Sequence, residues 1–516
     1  MKKEREIKNS IEPSISSEDL KNSESRSGYR SIFKATSVFG GVQVFNIIIT
    51  VVRGKVLAVL IGTAGMGLNG LLMSGLNLIK TASGLGLTES AIRDISVANQ
   101  SNDTKRIQVV YTIFKRWIWL SAIIGVVLTI SLSPVLSKIA FGNNNHTIAF
   151  ILLSVTFIFG ALTGGIYTLL RGMRKIKVLA RANISGSLAG LLIAIPIFYF
   201  YGIKGVVPAI IATAGARYLV SVYFRKKIEV KTIKLSLEKT FSGGKQMVAL
   251  GIVLTASSLL TAGVKFILNG YISNTGSLDD LGIYNAGSSI MSGYIGMIFA
   301  AMATDYYPRL SGVINHPKEW KAIVNQQSET VLLILGPILA FILLSAPFLI
   351  KILLSTEFLP VIDYLTWATL SVLLRSISWA SGFILISKAD NKIFLYVQLA
   401  AMTWSLGFNI LFFNLMGVKG LGISIIINQL LSVALMFLVL KVRYQFIISR
   451  SAYVLAGSYS LLLTVTVILI SLLDYPRAYI VASITFIIIL GISINGLNRR
   501  MDLMQFLKNL LNRKNK

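Results

Sequence analysis

Fourteen apolar runs follow one another between residues 31 and 497, and no other feature of the sequence limits its fold so strongly. A helix needs about 20 apolar residues to cross a bilayer, and within hydrocarbon every backbone polar group must find its partner inside the protein. The runs fall at 31–60, 65–95, 110–136, 147–170, 180–201, 205–224, 246–273, 281–308, 325–354, 360–387, 393–415, 420–441, 452–473 and 477–497. Their connections are too short for a folded domain. With 54% hydrophobic and 14% charged residues and a mean hydropathy of +0.72, a chain of 516 residues cannot be an ordinary soluble protein. The expected fold is an all-α polytopic membrane protein with about 14 transmembrane helices.

Charge sets the orientation. If the N-terminal segment is cytoplasmic, the even-numbered connections and both tails should be rich in Lys and Arg. With residues toward the ends of the runs assigned to the adjoining connection, 38 of the 50 basic residues fall on that side, 5 (Lys138, Lys204, Lys351, Lys419 and Arg477) on the opposite side, and 7 (Arg53, Lys55, Lys80, Arg93, Arg217, Lys265 and Arg375) are left to the runs themselves. An odd number of crossings would break the alternation, so it supports both the count and two cytoplasmic termini. It also accounts for the net charge of +29 without nucleic acid. Cysteine is absent and His146 and His316 are the two histidines, so the inventory excludes thiol chemistry and His-rich metal centres, and no cofactor is expected. Residues 1–30 are polar and lack the apolar core of a signal peptide; they read as a cytoplasmic tail before an uncleaved first helix.

An internal repeat organises the runs. Tyr201-Gly-Ile-Lys-Gly205 precedes the sixth run and Met416-Gly-Val-Lys-Gly420 the twelfth, an offset of 215 residues that six helices and their loops would fill. Two six-helix halves with a binding site between them are a transporter architecture; a tight interfacial turn that needs glycine is the alternative reading of the motif. The division that follows is an N-terminal tail at 1–30, an N-lobe at 31–225, a cytoplasmic linker at 226–245, a C-lobe at 246–443, two further helices at 444–498 and a tail at 499–516. In that tail Leu503, Phe506, Leu507, Leu510 and Leu511 form the stripe of an amphipathic surface helix.

Cations inside apolar sequence are costly, about 2.5–3.5 kcal/mol each at a helix centre on insertion scales, so they mark ligand or ion paths. The stretch 36–97 carries four: Arg53, Lys55, Lys80 and Arg93. Snorkelling to headgroups or pairing with Glu89 and Asp94 is the competing reading, and it weighs most for Lys55 and Arg93. Lys265 and Arg375 are placed similarly in the second half, and Arg217 reads as a snorkelling residue near the cytoplasmic end of its run. Asp305 and Arg309 stand four residues apart, as an intrahelical pair or as part of a cytoplasmic gate.

The runs RGKVLAVLIGTAGMGLNGLL at 53–72, GLGLTESAIRDIS at 84–96 and TDYYPRLS at 304–311 resemble the Wzx-type O-antigen flippases, lipid-linked oligosaccharide translocases of the multidrug/oligosaccharidyl-lipid/polysaccharide (MOP) exporter superfamily. Lipid II flippases of that superfamily also place a cation nine residues before the glycine that ends the first helix, as Arg53 precedes Gly62, and a basic residue near Lys80. They carry further basic residues in the first helix where Asn46 and Ile47 stand here. The resemblance implies a bacterial cytoplasmic (inner) membrane protein in which Arg53 and Lys80 meet the diphosphate of a polyprenyl diphosphate-linked glycan. It adds membrane lipids, a glycan polymerase and chain-length proteins as partners.

The expected substrate site is Arg53, Lys80, Lys265 and Arg375, since Arg grips phosphate bidentately and Lys acts as a point charge. Glu89, Arg93, Asp305 and Arg309 are the gate or coupling candidates. No catalytic residue is expected. A multidrug exporter of the same superfamily is one rival and would need acidic cavity residues. A glycan polymerase is the other and would need a long external loop with catalytic side chains.

Overall fold

The computed structural model describes the backbone of residues 17–501 apart from 102, 227, 229 and 231. It describes the side chains of 48–499 apart from those four and 246, 249–254, 294, 475 and 476. The described residues form thirteen helices and no strand: α1 (Ser17–Gly84), α2 (Leu87–Gln100), α3 (Thr104–Phe141), α4 (Thr147–Gly172), α5 (Ile176–Tyr201), α6 (Val206–Arg225), α7 (Leu237–Thr275), α8 (Leu278–Gly312), α9 (Pro317–Leu353), α10 (Val361–Ser387), α11 (Asn391–Tyr444), α12 (Arg450–Leu472) and α13 (Tyr475–Met501). Residues 1–16 and the amphipathic stripe of the C-terminal tail lie outside the described residues.

Two of these helices are two crossings each. α1 turns at Gly62 (φ 63°, ψ −164°) and α11 at Gly417 (φ 61°, ψ −143°), in a region that only glycine enters cheaply. Counting both arms of α1 and α11, together with α3–α10, α12 and α13, gives the fourteen crossings read from the sequence.

The repeat is built into the backbone. Gly202 (φ 52°, ψ −131°) makes between α5 and α6 the turn that Gly417 makes 215 residues later. In both turns the second glycine of the motif sits on the carbonyl eight residues before it: a Cβ on Gly205 would stand 2.8 Å from the Ile197 oxygen, and one on Gly420 would stand 2.0 Å from the Phe412 oxygen. Gly62 plus the same offset falls at the α7–α8 turn.

Three boundaries differ from expectation. The second run was expected to continue to residue 95, yet left-handed Leu85 (φ 49°) and Gly86 (φ 63°) stop α1 at Gly84. Beyond them α2 is a separate amphipathic helix that buries Leu87, Ser90, Ala91, Ile95 and Ala98. α7 begins at Leu237, inside the connection read as a linker, because the Ser236 hydroxyl accepts from the Lys239 N–H as an N-cap. α1 reaches back to Ser17, ahead of the expected start at 31.

The bundle has two ends. One holds the turns at Gly62, Gly142, Gly202, Gly276 and Gly417; the other holds the Lys- and Arg-rich connections and is here called the basic end. At the glycine-turn end the halves are locked together. Gly67 and Gly282 bring the second arm of α1 against α8 so closely that a Cβ on either would stand 2.0 Å from a carbonyl oxygen of the other helix. The Thr63 hydroxyl donates to the Asp279 carboxylate there, and Lys55 Nζ donates to the carbonyls of Lys351 and Leu354 at the end of α9. Toward the basic end the same two helices bear exposed polar side chains, Asn77 and Lys80 on one and Ser289, Ser292 and Thr304 on the other. Gly84, Gly293 and Gly296 have open space where a Cβ would be. The two halves thus meet at the glycine turns, and these two helices bear exposed polar side chains toward the basic end.

α7 lies against the first half along its length. Gly244 packs on Trp117, Gly263 on Leu78 and Gly270 on the Ile139 carbonyl, and the indole of Trp117 donates to the Thr240 carbonyl at 2.9 Å.

Candidate functional site

With Arg217, Thr50, Asn183, Ser187 and Thr213, Arg53 lines a cavity of about 240 Å³ between the first arm of α1, α5 and α6. Gly186 gives the Arg217 stem room, with the Cγ 3.6 Å from where a Cβ would be. Arg217 Nη2 lies 3.4 Å from Ser187 Oγ, and its buried Nε has no hydrogen-bond partner among the described residues. The two guanidinium groups line the same cavity, and like charges so placed repel one another.

No carboxylate is among the described residues that line the cavity. The sequence has no Asp or Glu between Glu24 and Glu89, nor between Asp103 and Glu229. Unpaired cations withdrawn from water are expensive. Arg217 was read from sequence as a snorkelling residue near a helix end; the structure instead places it eleven residues into α6, beside Arg53. Its signal lay in the i, i+4 spacing of Thr213 and Arg217, which puts both on one face of α6.

Helix rise gives the depths. Counted from the glycine-turn end at 1.5 Å per residue, Arg53 lies about 13 Å in along α1, Lys265 about 15 Å along α7, Arg217 about 17 Å along α6 and Arg375 about 21 Å along α10. In a hydrocarbon core about 30 Å thick these are mid-membrane positions. Lys80 is about 27 Å in and four residues from the end of α1, toward the basic end. Lys80, Lys265 and Arg375 are all exposed, although each sits in the body of a helix; Arg375 stacks over the Phe299 ring at 5.7 Å. Lys265 stands 215 residues after Thr50, so the repeat relates it to the turn of helix that carries Arg53.

The gate candidates take other positions. Glu89 and Arg93 belong to α2 rather than to a membrane crossing: Arg93 pairs with its neighbour Asp94 at 3.0 Å, and Glu89 faces Arg171 at 3.7 Å. Asp305 and Arg309 approach to 3.9 Å along one turn of α8, with the carboxylate 84% exposed, so the pair is intrahelical among the described residues. The basic end has a tighter fastening that the sequence reading missed. The Asp390 carboxylate accepts from Arg443 Nε and from the Tyr444 hydroxyl, both at 2.7 Å, tying the start of α11 to its end. Its residues are 53 and 54 apart, beyond any local spacing rule.

A lipid III flippase of Escherichia coli (strain K12) is 23% identical over 359 residues, 68% of this chain and 84% of the relative, and the lipid III flippase of Shigella flexneri aligns to the same extent. Among solved structures, an inward-facing multidrug resistance MATE family transporter of the MOP superfamily superposes with a TM-score of 0.63 at 16% identity, covering 75% of this chain and 94% of that one. The lipid II flippase MurJ in an inward closed conformation superposes with a TM-score of 0.59 at 15% identity, covering 90% of this chain and 99% of that one. The fold is thus that of the MOP superfamily transporters. Residues 56–363, more than half of the sequence, match the family described as polysaccharide biosynthesis protein, and the chain belongs to that family.

Proposed function

We propose that this protein is a flippase that moves a polyprenyl (undecaprenyl) diphosphate-linked oligosaccharide, an O-antigen or related surface polysaccharide unit, from the cytoplasmic to the outer leaflet of a bacterial inner membrane. The observation that carries this reading is the polarity of the interior: Arg53, Lys265 and Arg375 lie between about 13 and 21 Å from the glycine-turn end, divided between the two halves, in a chain whose first-half crossings contain no carboxylate. Such an interior suits two phosphates and repels organic cations, which counts against a multidrug exporter despite the shared fold. The basic end is taken as cytoplasmic, so a cleft between the halves that opens there admits the headgroup from the side of synthesis while the polyprenyl tail stays in lipid. Lys80 at its mouth receives the diphosphate, and Arg53, Lys265 and Arg375 hold it deeper. Alternating access follows if the glycine-turn contacts open as the basic end closes. No bond in the substrate is made or broken, and the short connections leave little room for a polymerase site.

In a deletion strain the lipid-linked glycan should accumulate on the cytoplasmic leaflet; normal outward delivery of every surface glycan would refute the reading. Arg53→Ala should abolish export at an unchanged membrane level of the protein. Arg53→Lys should restore it in part, since the charge remains and the bidentate fork is lost. Export unchanged in both Arg53→Ala and Lys80→Ala would remove these two residues from the site.

A further inference from the structure

We infer that the cavity between the first arm of α1, α5 and α6 is a discrete anion site that takes one phosphate or diphosphate group between Arg53 and Arg217. Two guanidinium groups share a cavity of about 240 Å³, one with a buried Nε that no described atom satisfies, and Thr50, Asn183, Ser187 and Thr213 supply neutral hydrogen-bonding groups around them. The sequence places no carboxylate in α5 or α6, nor in α1 between Glu24 and its end at Gly84. With no carboxylate beside them, an anion seated between the two guanidinium groups would offset their repulsion and supply the missing hydrogen-bond acceptors. Phosphate oxygens match the guanidinium fork, and a cavity smaller than the roughly 300–1,000 Å³ of drug-sized pockets fits an anionic head but not a glycan.

The site belongs wholly to the first half. An anion seated there is therefore carried with that half when the two rock, and Lys265 and Arg375 would meet it only as the cleft closes. Identifying the occupant as the diphosphate of the lipid-linked substrate rests on the proposed function; the anion site itself does not.

The test is calorimetric titration of the purified full-length protein in detergent with inorganic pyrophosphate and, separately, with a polyprenyl diphosphate. Both should bind. Arg217→Gln should weaken each at least tenfold and Arg217→Lys less. Arg225→Gln, which removes a cation from the end of the same helix outside the cavity, should leave affinity unchanged. If Arg217→Gln fails to insert, the rise in unfolding temperature that pyrophosphate gives the parent should shrink in Asn183→Leu and Ser187→Ala. Equal losses in Arg217→Gln and Arg225→Gln, or no binding of either probe, overturn the site. Arg217-dependent binding of pyrophosphate alone keeps the anion site and breaks its link to the lipid headgroup. Failure of the glycan export assay with both probes still bound through Arg217 refutes the flippase reading and leaves the site standing.

Discussion

Gly282→Ala tests whether the glycine-turn end is a gate. A Cβ there would stand 2.0 Å from the Thr63 carbonyl oxygen and against Gly67, while ordinary contact begins at 3.4 Å, so α8 and the second arm of α1 must separate by about 1.4 Å. Thr63 is the residue after the turn at Gly62 and has little freedom to yield. Overpacking of this kind costs about 1–3 kcal/mol, and the cost falls only on the closed arrangement, since in an opened end the methyl meets no opposing carbonyl. The population of the closed end should then drop about 5- to 150-fold relative to the open one. Thr63 and Asp279 are hydrogen-bonded across this contact, and the chain has no native cysteine. A Thr63→Cys/Asp279→Cys pair should therefore form a disulfide readily in membranes, and Gly282→Ala should slow its formation, by up to that factor where the open end comes to predominate. Gly407→Ala, with open space around it, is the matched control and should change nothing. Unaltered crosslinking in Gly282→Ala at equal protein level would show that the two helices do not part there, and alternating access through this end would fail with it.

Three further outcomes are expected. Lys55→Met leaves the Lys351 and Leu354 carbonyls without their charged donor, and should slow the same crosslink because bonds to charged groups contribute about 1.5–3 kcal/mol. Single cysteines at Asn144, Thr275 and Asp474 should react with an impermeant thiol reagent in intact cells while one at Lys318 should not; the reverse pattern would invert the orientation. The Asp390 carboxyl is held below the usual carboxylate range by the Tyr444 hydroxyl and then by Arg443. A depressed folded-state pKa contributes stability that is complete above the unfolded carboxylate value of about 3.9 and is lost as pH falls through the folded one. The gap in unfolding temperature between the parent and Asp390→Asn should hold steady from about pH 5 to 8 and narrow below about pH 4; a gap that instead grows on acidification would refute the fastening.

The number of crossings, the repeat and the two ends were legible because each rests on local physics. Hydrocarbon demands some 20 apolar residues per crossing, basic loops stay on one side, and a reversal with positive φ needs glycine at Gly202 and Gly417 alike. The chemistry of the interior was legible for the same reason: the lack of Asp and Glu from 25 to 88 and from 104 to 228 is a property of the sequence, and it fixes the sign of any ligand those helices can hold.

Partnership was decided elsewhere. Arg53 and Arg217 are 164 residues apart, and only the packing of α6 beside the first arm of α1 puts both in one cavity. Apolar runs say that a helix crosses the membrane but not which of its faces meets protein, because lipid and protein interior are equally apolar. Arg93 looked intramembrane because Leu85 carries no turn signal, yet it and Gly86 adopt positive φ and turn α2 out of the crossing. The closed end likewise depends on Gly67 meeting Gly282, a fit between backbones that neither helix encodes alone.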